Sequence, residues 1–508
     1  MLSQVYSCGV LGIDGIIITV EIDVSLGLPA YVTVGLPDTG VKESKERVCS
    51  AIKNSGWQFP MKRVTINLAP ADLRKEGAAF DLPIAIGLLV SSEQIVCPSL
   101  KDYVLIGELS LSGEIRPVPG VLSMVLAARK QGFKKVIIPE KNSMEAGIVS
   151  DIQIYPMADL IETADHLSGK RVKKPFQIDG QAILKEAQKR RSSLDFSDIK
   201  GQENAKRALE IAAAGAHNVL LSGPPGSGKS MLAGAFASIL PDLTMEEALE
   251  ITKIYSIAGL LPEHQMMTER PFRAPHHTAS KVSLIGGGRV PKPGEVSLAH
   301  LGVLFLDELP EFQKNVLEVL RQPLEDHQVT ISRVSASLTY PASFMMIASM
   351  NPCPCGYYGD PDHECICTPG EIKRYAGRIS GPLLDRIDIR LDVPPEQFSL
   401  LEGRQVGESS SEIRKRVNEA RKIQNERYRN ETGIYFNTQL TPRLIEHYCQ
   451  LASPERMLME KIYEKMKLSA RGYYRLLKLA RTIADLDGSE EISSIHLSEA
   501  VLFRTFGA

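Results

Sequence analysis

Gly223-Pro224-Pro225-Gly226-Ser227-Gly228-Lys229-Ser230 follows the apolar run Val219-Leu220-Leu221 and precedes Met231-Leu232-Ala233-Gly234-Ala235-Phe236-Ala237. That order predicts a buried strand, a glycine-rich turn and the opening of a helix, with the spacing G-x-x-x-x-G-K-S. A nucleoside triphosphate needs backbone N–H groups converging on its phosphates, and only a loop with little side-chain bulk can wrap them so closely. The following helix N-terminus adds its dipole. In such a site Lys229 reaches the β- and γ-phosphates, and the Ser230 hydroxyl takes one position on Mg²⁺. A plain glycine turn between strand and helix is the alternative; the full spacing and context favour binding of ATP or GTP by Gly223 through Ser230.

Working outward, the strand-like run Val303-Leu304-Phe305-Leu306 ends in Asp307-Glu308. Apolar residues followed by paired carboxylates place both acids at the carboxyl edge of a parallel sheet, where such folds bind ligands. Asp307 is expected to hold Mg²⁺ through water, and Glu308 to act as general base toward the attacking water. A third run, Phe344-Met345-Met346-Ile347-Ala348-Ser349, leads to Asn351, an amide able to orient that water without adding charge.

These residues resemble the AAA+ ATPase family, which implies ATP as the nucleotide and Asn351 as the first sensor. In that family the segment Leu383-Leu384-Asp385-Arg386-Ile387-Asp388 carries an arginine finger, here Arg386, with Asp385 and Arg390 as weaker candidates. An arginine acting on a neighbour's nucleotide implies a ring, usually of six. Two stretches resemble the hairpins of the magnesium-chelatase and replicative-helicase branch. One is Arg270–Thr278 continuing to Leu284–Glu295, read as an insertion in the second helix of the core. The other is Gln328–Val334 continuing to Leu338–Pro341. Such hairpins line a ring's pore, so Lys281, Arg289, Lys292 and Arg333 are candidate contacts to DNA phosphates. The adjacent His276 and His277 tempt a metal reading, but neighbouring side chains diverge on a strand, and a structural hydrogen-bonding role is expected.

Toward the N-terminus, residues 1–168 alternate strand-like and helix-like runs. Among them are strands at Ile16–Val24, Val64–Leu68 and Tyr103–Leu109, and helices at Lys42–Lys53, Asp81–Val90 and Val121–Lys130. The segment from Ile106 to Gly120, with Val136-Ile137-Ile138-Pro139, resembles the proteolytic domain of Lon proteases. That family uses a Ser–Lys dyad, whose positions fall here at Ala79 and Leu122. Neither can attack a peptide bond or accept a proton, so no protease is expected. Residues 169–198 are charged and poor in core residues, as a linker with one short helix would be.

Downstream, Cys353-Pro354-Cys355 and Cys365-Ile366-Cys367 form two C-x-C pairs. Four thiolates can hold one tetrahedral structural Zn²⁺, with His363 able to replace a thiol; a disulfide-linked loop and unligated thiols are the alternatives. The ATPase core is assigned to residues 199–395. Residues 396–508 then read as a helical lid, in which Arg471 at the head of a helix matches the family's second sensor, with Arg475 as runner-up.

The expected architecture is α/β: a Lon-protease-like α+β domain lacking its dyad, an AAA+ core with β-hairpin insertions, and a helical lid. Together these features resemble the ComM/YifB family of magnesium-chelatase-like AAA+ ATPases over nearly the whole chain. The resemblance implies a homo-hexameric motor on single-stranded and branched DNA, promoting branch migration in homologous recombination and natural transformation. A chelatase-type motor acting with partner subunits on a non-DNA substrate is the alternative. A protease and a non-enzymatic scaffold are disfavoured by Ala79 and Leu122 and by the intact Lys229, Asp307 and Glu308. At 508 residues the chain is long enough for several cores, and its net charge of −2 confines any DNA surface to local patches. No apolar run reaches the ~20 residues of a membrane helix, and scattered cysteines fit a reduced, cytoplasmic protein.

Overall fold

A computed structural model describes the chain except at residues 1, 76, 189–193, 263–264, 289–290, 333–336, 396–406, 432 and 505–508. Contacts divide it into two units, Met1–Lys185 with Met245–Thr268, and Glu186–Thr244 with Glu269–Ala508.

In the first unit, strict alternation along Asp14–Ser25 buries Ile18, Val20, Ile22 and Val24 on one face, as a period-two pattern must. The seven-stranded sheet runs in the order Ala30–Val34, Arg63–Ala69, Asp14–Ser25, Leu2–Leu11, Tyr103–Leu105, Lys135–Pro139, Gln153–Met157. Helix Asp81–Ser91 is apolar almost all round and therefore buried almost all round, against the Leu2–Leu11 and Asp14–Ser25 strands. Its one acid, Asp81, is fully buried and takes bonds from Arg47 Nε at 2.6 Å and Arg47 NH2 at 3.1 Å. Ala79 and Leu122 are both buried, with no group suited to peptide hydrolysis at either position. The run expected as one strand over Tyr103–Leu109 is two: pairing stops at Leu105, and Glu108–Leu109 turns to pair with Ile115–Arg116.

Two boundaries differ from the expected ones. Residues 169–185 belong to the first unit, because Phe176 N bonds to Ile154 O at 2.7 Å, Ile178 N to Gly147 O at 3.0 Å and Lys173 to Glu162 at 2.8 Å. Backbone pairing, invisible in composition, pins a stretch that reads as linker. Helix Met245–Ala258, expected within the ATPase core, also belongs to the first unit. There Ser256 Oγ donates to Glu145 Oε2 at 2.7 Å and accepts from Gly120 N at 3.0 Å.

The second unit is built on five parallel strands in the order Phe272–Arg273, Val303–Leu306, Met345–Met350, Val219–Ser222, Ile389–Asp392. The three middle strands are buried at every residue, the mark of a parallel sheet covered on both faces. Phe272–Arg273 forms an edge strand of this sheet, so the Arg270–Thr278 stretch is not part of an inserted hairpin. The hairpin itself is Gly286–Gly287 paired with Lys292–Pro293, after helix Lys281–Ile285. The second expected hairpin pairs Gln328–Ser332 with Ser337–Pro341.

Among the described residues, five α-helices then follow: Ser410–Arg427, Pro442–Tyr448, Ser453–Met466, Ala470–Leu486 and Ser494–Leu502. They share one core with the sheet, Ile413, Val417, Leu476 and Ile483 joining Val219, Leu221 and Phe305. Among the described residues, no helix is long and apolar enough to cross a membrane.

Candidate nucleotide and metal site

Parallel register sets the site. Leu306 pairs with Ala348 and Ser222 with Met350, so the chain leaves three neighbouring strands along one edge of the sheet. The exits carry the Gly223–Ser230 loop, Asp307-Glu308 and Asn351 respectively. Gly226 and Gly228 hold φ of +80° and +87°, a region closed to most side chains, which lets the loop curl over the head of helix Lys229–Phe236.

Lys229 Nζ bonds to Gly223 O and Pro224 O, each at 2.8 Å, and lies 3.4 Å from Asn351 Oδ1. Burial pushes this ammonium down from its ordinary range, and Asp307 offsets part of that. Ser230 Oγ donates to Asp307 Oδ2 at 3.1 Å, so the hydroxyl and carboxylate expected to share Mg²⁺ already meet. Glu308 has φ of +53°, a left-handed conformation uncommon for a residue with a side chain and costly by about 1–3 kcal/mol. The strain is held by its own N–H, which bonds to Asp307 Oδ1 at 3.1 Å and Ser349 Oγ at 3.3 Å.

Ser349 is the residue sequence reasoning missed. Its hydroxyl donates to Asp307 Oδ1 while accepting from Glu308 N, tying both acids to the next strand. A small hydroxyl on a strand of buried residues leaves no local pattern; only the parallel register reveals it. His277 is a second surprise. It lies in a turn rather than a strand, its ring 4.1 Å from that of His276, and its Nδ1 is 3.3 Å from Glu308 Oε2. The expectation that the two rings diverge fails with the strand.

The magnesium chelatase, subunit ChlI, family matches residues 195–401. Its subunit ChlI of Mg-chelatase and ChlI C-terminal descriptions match 20–142 and 407–504. Competence protein ComM of Haemophilus influenzae is 44% identical over 99% of this chain and 97% of its own length. YifB of Escherichia coli is 46% identical over the same shares. The chain belongs to the ComM/YifB family of magnesium-chelatase-like AAA+ ATPases. Likeness to a magnesium-chelatase 67 kDa subunit of Chlorobaculum parvum is narrower, 32% identity over 31% of this chain and 23% of that one.

Within this ComM/YifB chain the two expected arginines differ. Arg386 is buried: its guanidinium bonds to Pro382 O at 2.6 Å and Arg321 O at 3.1 Å and pairs with Glu325 at 2.6 Å. In this arrangement it is not presented at a surface, contrary to what a finger reaching a neighbour needs. Arg471 is exposed at the head of helix Ala470–Leu486, with NH2 4.0 Å from the same Glu325 oxygen. Arg475 is taken up by Asp388, at 2.5 Å. Burial pushes Asp388 up, but the Arg475 guanidinium holds it well below the usual carboxylate range. Lys281 and Lys292 are exposed on the inserted helix and hairpin, while Arg289 and Arg333 lie outside the described residues.

The sulfurs of Cys353, Cys355, Cys365 and Cys367 all lie within 4.8 Å of one another. Three of the separations are 3.3, 3.7 and 3.7 Å. A tetrahedral zinc with Zn–S of about 2.3 Å needs sulfurs about 3.8 Å apart, so the set fits a structural metal. A disulfide, at about 2.05 Å, is excluded by the same distances. The Tyr357 backbone N–H favours the thiolate of Cys355 and holds it down to about 6. His363 is not of this group; its ring stacks on Tyr357 at 4.7 Å and its Nδ1 lies 3.4 Å from Asp360.

Proposed function

We propose that the protein is an ATP-driven DNA motor that works as a homo-hexameric ring in the cytoplasm and promotes branch migration during recombination and natural transformation. One observation carries the reading: Lys229, Ser230, Asp307 and Asn351 meet at one sheet edge, in a chain matching a competence protein end to end. Gly223 through Ser230 wrap the phosphates, and Lys229 exchanges its loop carbonyls for phosphate oxygens. Ser230 and Asp307 hold Mg²⁺, which when bound neutralises phosphate charge. Glu308 takes the proton of the attacking water and Asn351 orients it. Arg386 serves a neighbouring subunit's nucleotide once it leaves Glu325, and Arg471 contacts the γ-phosphate and couples its loss to the helical region. Lys281 and Lys292, with Arg289 and Arg333, touch the phosphates of threaded single-stranded or branched DNA, so binding weakens steeply with salt. The four cysteines hold a structural zinc with no open position.

ATP hydrolysis and strand exchange on a labelled four-way junction, beside Glu308→Gln, test this. DNA-stimulated hydrolysis with branch-migrated products only from the active enzyme supports it. Hydrolysis indifferent to every DNA form rejects it. That second outcome instead favours a chelatase-type motor working with partner subunits, which the partial match to the Chlorobaculum subunit supports.

A further inference from the structure

The cysteine loop is joined to the nucleotide site at two points. Cys353 follows Asn351 closely in sequence and is fully buried, while Asn351 Oδ1 lies 3.4 Å from Lys229 Nζ. Gly356 N closes a turn on Cys353, bonding to its carbonyl at 3.1 Å and its sulfur at 3.2 Å. That turn bears on the phosphate loop: a Cβ at Gly356, whose φ is +92°, would sit 2.6 Å from Pro225 Cδ and 2.9 Å from Cγ. At the far end, helix Pro369–Ala376 starts just after Cys367 and carries the buried Tyr375.

The loop between has little apolar packing of its own. Tyr358 and Ile366 are 58% and 85% exposed. The group that links Cys353 and Cys355 to Cys365 and Cys367 therefore decides whether the Gly356 turn keeps its place.

We propose that zinc bound by the four cysteines is a strut for the phosphate loop, holding Gly356 against Pro225 and Asn351 opposite Lys229, so that metal loading sets nucleotide affinity. This rests on the zinc reading of the cluster given above. Cys353, Cys355, Cys365 and Cys367 are positioning residues: they touch no substrate, and their effect passes through Gly356 and Asn351. A cell that strips zinc from this site would slow the ATPase without touching a residue at the phosphates.

The full-length protein tests it, with zinc content by metal analysis, affinity for a fluorescent ATP analogue, and hydrogen exchange of residues 223–230. Wild type is expected to hold one zinc per chain. Cys365→Ser should lose zinc, bind nucleotide about tenfold more weakly and exchange faster in the phosphate loop. Cys365→His, which restores a ligand, should recover both zinc and affinity. Gly356→Ala should keep zinc yet lose affinity, because the added methyl displaces Pro225; it decides the matter if Cys365→Ser fails to fold. A zinc-loaded wild type whose affinity is unchanged in both Cys365→Ser and Gly356→Ala overturns the strut and leaves the zinc reading standing. A wild type purified without zinc, and unmoved by adding it, overturns both.

Discussion

Two pairs of acids, one from each unit, are used in opposite ways, although the second unit also seals Asp388 against Arg475. In the first, Asp81 and Glu145 are sealed from water, one against Arg47 and the other between Asn142 and Ser256. In the second, Asp307 and Glu308 stand exposed at a strand end, Glu308 on a strained backbone. A sealed, fully partnered carboxylate can only hold a fold together. An exposed one beside a phosphate-binding loop has oxygen lone pairs left for a metal and a water. The Asp81 and Glu145 pair therefore reads as structure and the Asp307 and Glu308 pair as chemistry, although both units are sheets flanked by helices.

The sharpest way to break this contrast is Glu308→Gln. Loss of the base should cut turnover by about 10³–10⁴-fold with nucleotide binding intact. Residual hydrolysis within tenfold of wild type would move the base elsewhere. Arg386→Ala comes next, with turnover falling about 10²–10³-fold. Mixed with Lys229→Ala subunits, it should regain activity if it acts across an interface. Because Arg386 is buried, thermal melting must accompany the assay: a lower melting point with no recovery in mixed rings assigns it, like Arg475, to the fold. Ser349→Ala follows. The loss of a bond orienting Asp307 should raise the Mg²⁺ needed for half-maximal hydrolysis about tenfold. An unchanged Mg²⁺ dependence would make the serine mere packing.

Much of the second unit was legible because its chemistry demands fixed residues at fixed spacing. Gly223–Ser230, Asp307 and Asn351 each follow an apolar run, and apolar runs of that length make buried parallel strands that deliver their ends to one edge. What was not legible depends on partners distant in sequence. Nothing near Arg386 announces Glu325, nor does anything near Ser349 announce Asp307. The helix Met245–Ala258 shows only an apolar face, and a face does not say which core it covers; Ser256 meeting Glu145 and Gly120 does. Residues 169–185 failed for a related reason, since their attachment is through backbone bonds that charged side chains do not reveal.

The smallest effect concerns that attachment. Burial pushes the Glu145 carboxyl up from its ordinary 4.5 to about 7, with the Ser256 and Asn142 bonds offsetting part of the rise. The folded unit thus binds this proton more tightly than the unfolded chain does. Its contribution to stability is full below about pH 4.5, is lost as pH rises to about 7, and is flat beyond. The loss is on the order of 3 kcal/mol. Glu145→Gln keeps the shape and removes the titration, so the difference between the two proteins isolates this group from every other acid. Trp57, the single tryptophan, packs on the first unit's core and reports its unfolding in urea. Between pH 5 and 7 the midpoint should fall more steeply for wild type than for Glu145→Gln, because only in wild type does the unfolded chain release a proton that the folded carboxyl beneath helix Met245–Ala258 keeps. Equal slopes would mean that water reaches Glu145, and that the helix is held to the first unit by its apolar face alone.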